Sequence, residues 1–373
     1  MVDKMNELNK MQDEFTFMKG KLQNDEFYFN ERKKEYEQKI LDSGQQLPSI
    51  APKMSEIEYL KVRDDILSVP ELSKKMHGYH SQEIYQITSS QNGGLIASCS
   101  GDRQLKIYDS LNNVVVNKFQ GEGSNQIFMD ASFSNTDSLI LTCLTDQKIR
   151  LYNYNTSKKL KESYAHNYQI NAVTFLSDKN KFATCSEDRT IKFWDFEKFQ
   201  ILKTLQTGFA CKTMKQFFGE PNIATGHSDG SVRMYSIREN SSKPIYDMKN
   251  VFDSQICAID ISTCGNYIAA SSKDGIRIKV LDLRNHKVVH DLSNDVYYNS
   301  NEYQKITFGM ENNYIIAGGI GGSVSFFNLK ENQQSSKIVQ NCDHEGTVLV
   351  AHYCESSSKL YTGDSQGNLN IWM

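Results

Sequence analysis

The stretch HNYQINAVTFLSDKNKFATCSEDRTIKFWD (residues 166–195) decides how the chain is read. It sets His166, Thr184, Asp188 and Trp194 at steps of 18, 4 and 6 residues. His80, Ser98, Asp102 and Tyr108 repeat those steps. A third copy, His344, Thr362, Gln366 and Trp372, keeps them with Gln366 in place of the acid. Three sets in one register mark a repeat protein. A histidine, a hydroxyl and an acid also suggest a nucleophilic triad, but a triad is a single constellation. This set recurs with an aromatic partner, so it reads as a buried polar chain that stabilises only when every member is satisfied. No catalytic, cofactor or metal-binding role is assigned to it.

The residue after each SxS-like strand runs Asp102, Asp146, Asp188, Asp229, Asp274, Gly321 and Gln366, at intervals of 44, 42, 41, 45, 47 and 45. Periods of ~40 to 45 residues point to four-stranded propeller blades. Each anchor follows a strand such as LIASCS (95–100) or KFATCS (181–186). Each then turns into a second strand such as QLKIYD, TIKFWD or NLNIWM, rich in β-branched and aromatic residues. The expected fold is all-β, a seven-bladed propeller over 72–373. By this register the tetrad is complete in two blades, altered in one and absent from four, with the histidine replaced in blades 4 to 6. The last repeat reaches Trp372-Met373 without an outer strand, and 72–77 form an unpaired strand ahead of the first histidine. That strand is expected to complete the seventh blade and remove an exposed edge.

Composition narrows the function. Lys plus Arg number 42 against 45 Asp plus Glu, for a formal charge of −3. Residues 1–70 hold 11 basic and 14 acidic side chains, leaving 31 of each beyond. A neutral body offers no general field for nucleic acid, and no nucleic-acid partner is expected. The start, MVDKMNELNK, lacks the apolar segment of a signal peptide, and no apolar run approaches the ~20 residues that cross a bilayer. A cytoplasmic protein is the expectation. The eight cysteines contain no CxxC pair; Cys99, Cys143 and Cys185 each fall three residues before a repeat Asp and read as small buried thiols. Cys342, His344, His352 and Cys354 lie close in sequence but fit no zinc spacing.

Residues 1–42 have another texture. Leu8, Met11, Phe15, Met18 and Leu22 are spaced 3, 4, 3, 4, a heptad seam that predicts a helical arm dimerising as a coiled coil. A helix docked on its own propeller is the other reading. Residues 43–71 form a linker: Gly44, Pro48 and Pro52 break the helix, and Ser55 with Glu58 can cap a short second one.

Over residues 72–373 the period and the tetrad resemble the WD-repeat (WD40) family. Off-consensus details are more specific. VPELSKKMHGYHSQEI (69–84), TGHSDGSVRMYSIR (225–238), SSKDGIRIKVLDLR (271–284) and AGGIGGSVSFFNL (317–329) resemble blades of the autophagy-related protein 16 family. That resemblance implies a non-enzymatic scaffold without cofactor. It implies a homodimer through the N-terminal helix and a partner in the autophagy-related protein 5 conjugate. It further implies support for conjugating the ubiquitin-like autophagy-related protein 8 to phosphatidylethanolamine, with peripheral association at autophagosome-forming membranes through the complex. Two other adaptor readings stay open. Leu281-Asp282-Leu283-Arg284 is like the box of cullin-type ubiquitin ligase substrate receptors. An N-terminal helix before a propeller also resembles a G-protein β subunit.

Repeat register also predicts a partner-binding face. Loops leading into the innermost strands bring Glu83, Gln126, Gln169, Lys212, Gln255 and Thr347 around the central channel, with Glu187, Ser228 and Lys273 from the adjoining turns. Their mixed charge suits a protein or peptide partner. The longest interval precedes Gly321 and carries Tyr297, Tyr298 and Tyr303, read either as exposed anchors or as packing on a neighbouring blade.

Overall fold

A computed structural model of the chain describes residues 70–373 apart from 124–125, 135–137, 178–179, 220–221, 238–242, 295–296, 300, 331–335 and 340–343, with backbone alone at 336–339. The expected arm, nearly all of the linker, and the seam residues Leu8, Met11, Phe15, Met18 and Leu22 lie outside these residues.

Among the described residues there are seven four-stranded antiparallel sheets and no α-helix. Blade 1 runs Ile84–Ser89, Leu95–Ser100, Gln104–Asp109 and Val114–Gln120, from the channel outward. Five more blades repeat this order, and the innermost strand of the seventh, Val348–Cys354, contacts the innermost strand of the first. The ring therefore closes. Alternation explains the sequence texture. Middle strands such as Lys181–Ser186 are covered on both faces by neighbouring blades, and every residue after Lys181 is buried. Outer strands such as Val114–Gln120 keep one side in solvent.

The core lies between blades. Leu105, Ile107 and Phe119 of blade 1 pack on Phe128, Ile140 and Tyr152 of blade 2. Ile84, Ile87 and Ile96 meet Leu349, Val350, Tyr361 and Leu369 of blade 7. Cys99, Cys143 and Cys185 are buried free thiols within these seams. The innermost strands are sheet edges, and polar groups on an edge need partners. Side chains from the preceding blade supply some of them. The Asp130 carboxylate accepts the Val173 N–H at 3.0 Å, Asp260 accepts that of Phe308 at 2.7 Å, and the Ser132 hydroxyl accepts that of Phe175 at 3.2 Å.

Closure is made by Leu72–Met76, which pairs antiparallel with Leu369–Trp372 as the outer strand of the seventh blade. Glu71 and Met373 exchange both backbone hydrogen bonds at 2.9 Å and extend the ladder. Lys74 reaches across to the Tyr108 phenol of blade 1 at 3.1 Å, so the closing strand is pinned to both neighbours. Deleting residues 70–79 should yield insoluble or molten protein; a variant with the wild-type melting temperature would contradict this closure.

Candidate functional site

In blade 3 the Trp194 indole donates to the Thr184 hydroxyl at 3.0 Å, and Thr184 meets His166 Nε2 at 2.7 Å. His166 Nδ1 meets Asp188 at 2.9 Å. An indole only donates and a carboxylate only accepts. The protons are thereby ordered from Trp194 to Asp188, with a neutral imidazole carrying its proton on Nδ1. In blade 1, His80 joins Asp102 and Ser98, both at 2.9 Å. Tyr108 does not join that chain, contrary to expectation. Its phenol donates to Asn113 at 2.8 Å and accepts from Lys74, because the closing strand claims it.

The third set corrects the register. His344 Nδ1 meets Asp364 at 3.0 Å, Nε2 meets Thr362 at 2.8 Å, and the Trp372 indole donates to Thr362 at 2.9 Å. Blade 7 thus has a complete tetrad. The acid sits two residues earlier, at the end of the strand, and Gln366 is exposed in the turn. Asp364 also accepts the Gln366 and Asn368 N–H groups, so it organises the turn as Asp102 and Asp188 do in theirs. Blade 4 moves the histidine instead: His227 lies within the strand, fully buried, with Nε2 at 2.9 Å from Thr225. In blades 2 and 4 the turn acid binds an arginine four residues on. Asp146 pairs with Arg150 at 2.5 Å and Asp229 with Arg233 at 2.6 Å, while Glu162 and Asp247 complete the two clusters.

Burial sets the protonation of these groups. Burial, opposed by Asp188, lowers His166 to about 4; burial and the nearby Arg233 lower His227 to about 4. Burial disfavours ionisation of Asp102, but His80 and the Ser81 and Gln104 N–H groups outweigh it and hold the carboxyl at about 2.

The face at the channel mouth is different, because its polar groups are partly exposed and converge from several blades. Backbone N–H groups of Gly101, Glu187, Lys273 and Ser365 donate to the carbonyls of Glu83, Gln169, Gln255 and Thr347, which fixes those loops over the channel. The equivalent acceptors in blades 2 and 4 are Ile127 and Ala210, so Gln126 and Lys212 stand one residue before and two after the register positions. Gln126 folds into its own loop, where its Oε1 accepts the Glu122 N–H at 2.9 Å. Lys212 instead points across the mouth, its ammonium 2.7 Å from Glu187 and 3.5 Å from Glu302. Lys273 meets Glu302 at 2.7 Å and Asn171 donates to Glu187 at 2.8 Å.

Two clefts share this network. One, of about 210 Å³, is lined by Tyr85, Met129, Gln169, Asn171, Tyr303 and Lys305 around the Glu187–Lys212–Glu302 bridge. Tyr303 packs on Tyr85 with ring centroids 4.7 Å apart. The other, of about 380 Å³, lies between Arg189, Phe209, Ser228 and Gln255. The channel beyond narrows to about 20 Å³ among Asp130, Lys215, Lys305 and His352, room for little more than a water. Shallow, mixed-charge clefts with aromatic walls suit side chains of a peptide or protein rather than an enclosed small ligand.

The three loop tyrosines divide. Tyr297 is buried, edge-on to Phe327 between blades 5 and 6, and presents no anchor to a partner. Tyr298 is half-buried, and Tyr303 lines the cleft. Residues that register reasoning missed are Tyr85, Asn171, Arg189, Phe209, Glu302 and Lys305. Glu302 sat in the same long loop as the tyrosines and was the one legible among them. Arg284, in the ligase-receptor-like box, is drawn onto Asp282 at 3.0 Å and the Tyr267 phenol at 2.8 Å.

Fold and repeated tetrads together define a protein of WD40 repeats folded as a seven-bladed propeller, a class that is generally scaffold-like and binds protein partners. The family model described as WD domain, G-beta repeat matches residues 71–109 and 157–195, the segments that carry the His80 and His166 sets. Among curated proteins the chain is similar to protein tipD of Dictyostelium discoideum, 26% identical over 82% of this chain and 49% of that protein. It is also similar to autophagy-related protein 16 of Arabidopsis thaliana, 21% identical over 79% of this chain and 56% of the relative. Pre-mRNA-processing factor 19 of rice matches at 21% identity, over 89% of this chain and 62% of its own length. The chain therefore spans about half to three fifths of these relatives.

Two outcomes follow for the tetrads. Asp364→Ala should cost about 1–3 kcal/mol in urea unfolding, and Gln366→Ala less than about 0.5 kcal/mol; the reverse ranking would return the acid's role to Gln366. For pH, His166 and His227 bind protons near 6.5 when unfolded but only near 4 when folded. The unfolded chain gains protons first as pH falls, so stability should drop steadily from pH 6.5 to 4. Asp102, held at about 2, adds a loss of the same sign below about 4. An unfolding midpoint in urea at pH 5 equal to that at pH 7.5 would contradict this.

Proposed function

We propose that the chain is a non-catalytic scaffold of the autophagy-related protein 16 kind, whose propeller holds protein partners at the channel mouth. The observation that carries this reading is the cleft around Lys212. Tyr85 and Tyr303 give it an aromatic wall, and Glu187 and Glu302 offer charged groups already ordered by their lysine partners. Such preordered polar groups lose little freedom when a partner arrives. The similarity to the Arabidopsis autophagy-related protein 16 supports the choice of pathway. In this reading Leu8, Met11, Phe15, Met18 and Leu22 dimerise the chain. The dimer recruits the autophagy-related protein 5 conjugate and supports lipidation of autophagy-related protein 8. The protein works in the cytoplasm, peripheral at autophagosome-forming membranes.

Affinity purification of the tagged full chain, followed by mass spectrometry, tests it. Wild type should recover autophagy-related protein 5, and Lys212→Ala with Ser228→Ala and Gln255→Ala should lose propeller partners while keeping it. Recovery of a cullin adaptor in its place, or an unchanged partner set in the folded triple variant, would contradict the proposal. Light scattering should report a homodimer.

A further inference from the structure

The outer strands carry a pattern the channel mouth does not explain. In blades 1, 2, 3 and 5 the pairing between the third and fourth strands slips by one residue. The unpaired residues are Val116, Leu160, Leu202 and Val289, with exposures of 49%, 49%, 52% and 41%. A bulge re-aims its side chain outward and frees it from the packing of the sheet. Nothing in the fold therefore requires an aliphatic residue at that position, yet all four are aliphatic.

In blades 2 and 3 the strand carrying one bulge is tied to the turn ahead of the next. The Lys161 ammonium, from the outer strand of blade 2, binds the carbonyls of Phe196 and Glu197 in the outer turn of blade 3, the first at 3.3 Å. This contact ties the strand that carries Leu160 to the turn that leads to Ile201 and Leu202. Around them stand the exposed Lys158, Lys159 and Lys198, with Lys203 half-buried. Of the nearby acids, Glu162 is engaged by Lys148, Lys159 and Arg150, and Asp195 holds the Lys198 N–H at 2.7 Å. Glu197 is exposed and, among the described residues, forms no ion pair with a lysine, while Glu162, also exposed, is held by its cations.

Lysines commonly guard sheet edges against pairing, and singly exposed aliphatics are ordinary. Edge protection explains the lysines but not Leu160, Ile201 and Leu202 among them. Protein-binding patches are enriched in aromatic residues and arginine and depleted in lysine. This patch has two half-buried phenylalanines, Phe196 and Phe199, beneath Lys161, but no exposed arginine, and its exposed side chains are aliphatic and lysine-rich. Aliphatic side chains that enter the headgroup boundary, ringed by lysines that meet anionic headgroups, fit a lipid surface.

We propose that the rim of blades 2 and 3, centred on Leu160 and Leu202, docks on an anionic bilayer surface. This stands apart from the partner-binding reading of the channel mouth and does not rest on it. Co-sedimentation of the full chain tests it, with vesicles of phosphatidylcholine alone or mixed with phosphatidylserine, at low and high salt. Wild type should bind only the anionic vesicles, more weakly at high salt. Lys158→Glu with Lys198→Glu, which leaves the Lys159–Glu162 pair intact, should weaken binding about tenfold or more. Leu160→Ser with Leu202→Ser should weaken it as well, and both variants should keep the wild-type melting temperature, since every altered side chain is exposed. Lys287→Glu with Val289→Ser, on blade 5, should bind as wild type. Indifference of wild type to lipid charge, wild-type binding by both rim variants, or an equal loss in the blade 5 control would overturn the proposal. So would a protein captured by wild type and lost from both rim variants while their vesicle binding persists.

Discussion

Everything described here hangs on one ladder, the pairing of Leu72–Met76 with Leu369–Trp372. A propeller blade cannot bury its own faces; each is covered by the next, so the ring is stable only when the last blade meets the first. Here the last blade is itself composite, three strands from the end of the chain and one from near residue 70. The ladder joins the chain's most distant described parts. It must pay the closure entropy of the whole ring, although that cost grows only slowly with loop length. Its reinforcements are placed accordingly: the Glu71–Met373 pair at one end, Lys74 to Tyr108, and Lys359 to the Ser110 carbonyl at 3.2 Å.

The tetrads work within that ring as turn organisers. Each ties the loop entering a blade to the turn between its second and third strands. Geometry at the turn is what matters, and the chain reaches it by several routes. Blade 7 supplies the acid from Asp364, and blades 2 and 4 bind the turn acid with Arg150 and Arg233. A buried imidazole held neutral by desolvation is a poor proton shuttle, and the recognition proposed above rests instead on the half-exposed groups at the mouth.

Period and tetrad made the seven-bladed ring and most of the mouth loops legible in the sequence, because both depend on residues at fixed spacing along the chain. What escaped depends on contacts across it. Asp364 was hidden because two backbone positions can present a carboxylate to the same imidazole, and the register favoured the wrong one. Tyr108 was placed in a tetrad because nothing local reveals that Lys74, 34 residues earlier, competes for its phenol. Tyr297 and Tyr303 are near neighbours in one loop, yet one fills the seam between blades and the other lines a cleft. The rim bulges were equally invisible, since a slip of one residue alters pairing without altering composition.

Native-state hydrogen exchange on the closing strand tests the dependence of the ring on its ladder most directly. Backbone amides of Lys74 and Met76 should exchange with the same opening free energy as those of buried middle strands such as Lys181–Ser186, because losing the ladder means losing the ring. Exchange of the closing strand by local fraying, several kcal/mol more easily than the middle strands, would show that the propeller stands without it.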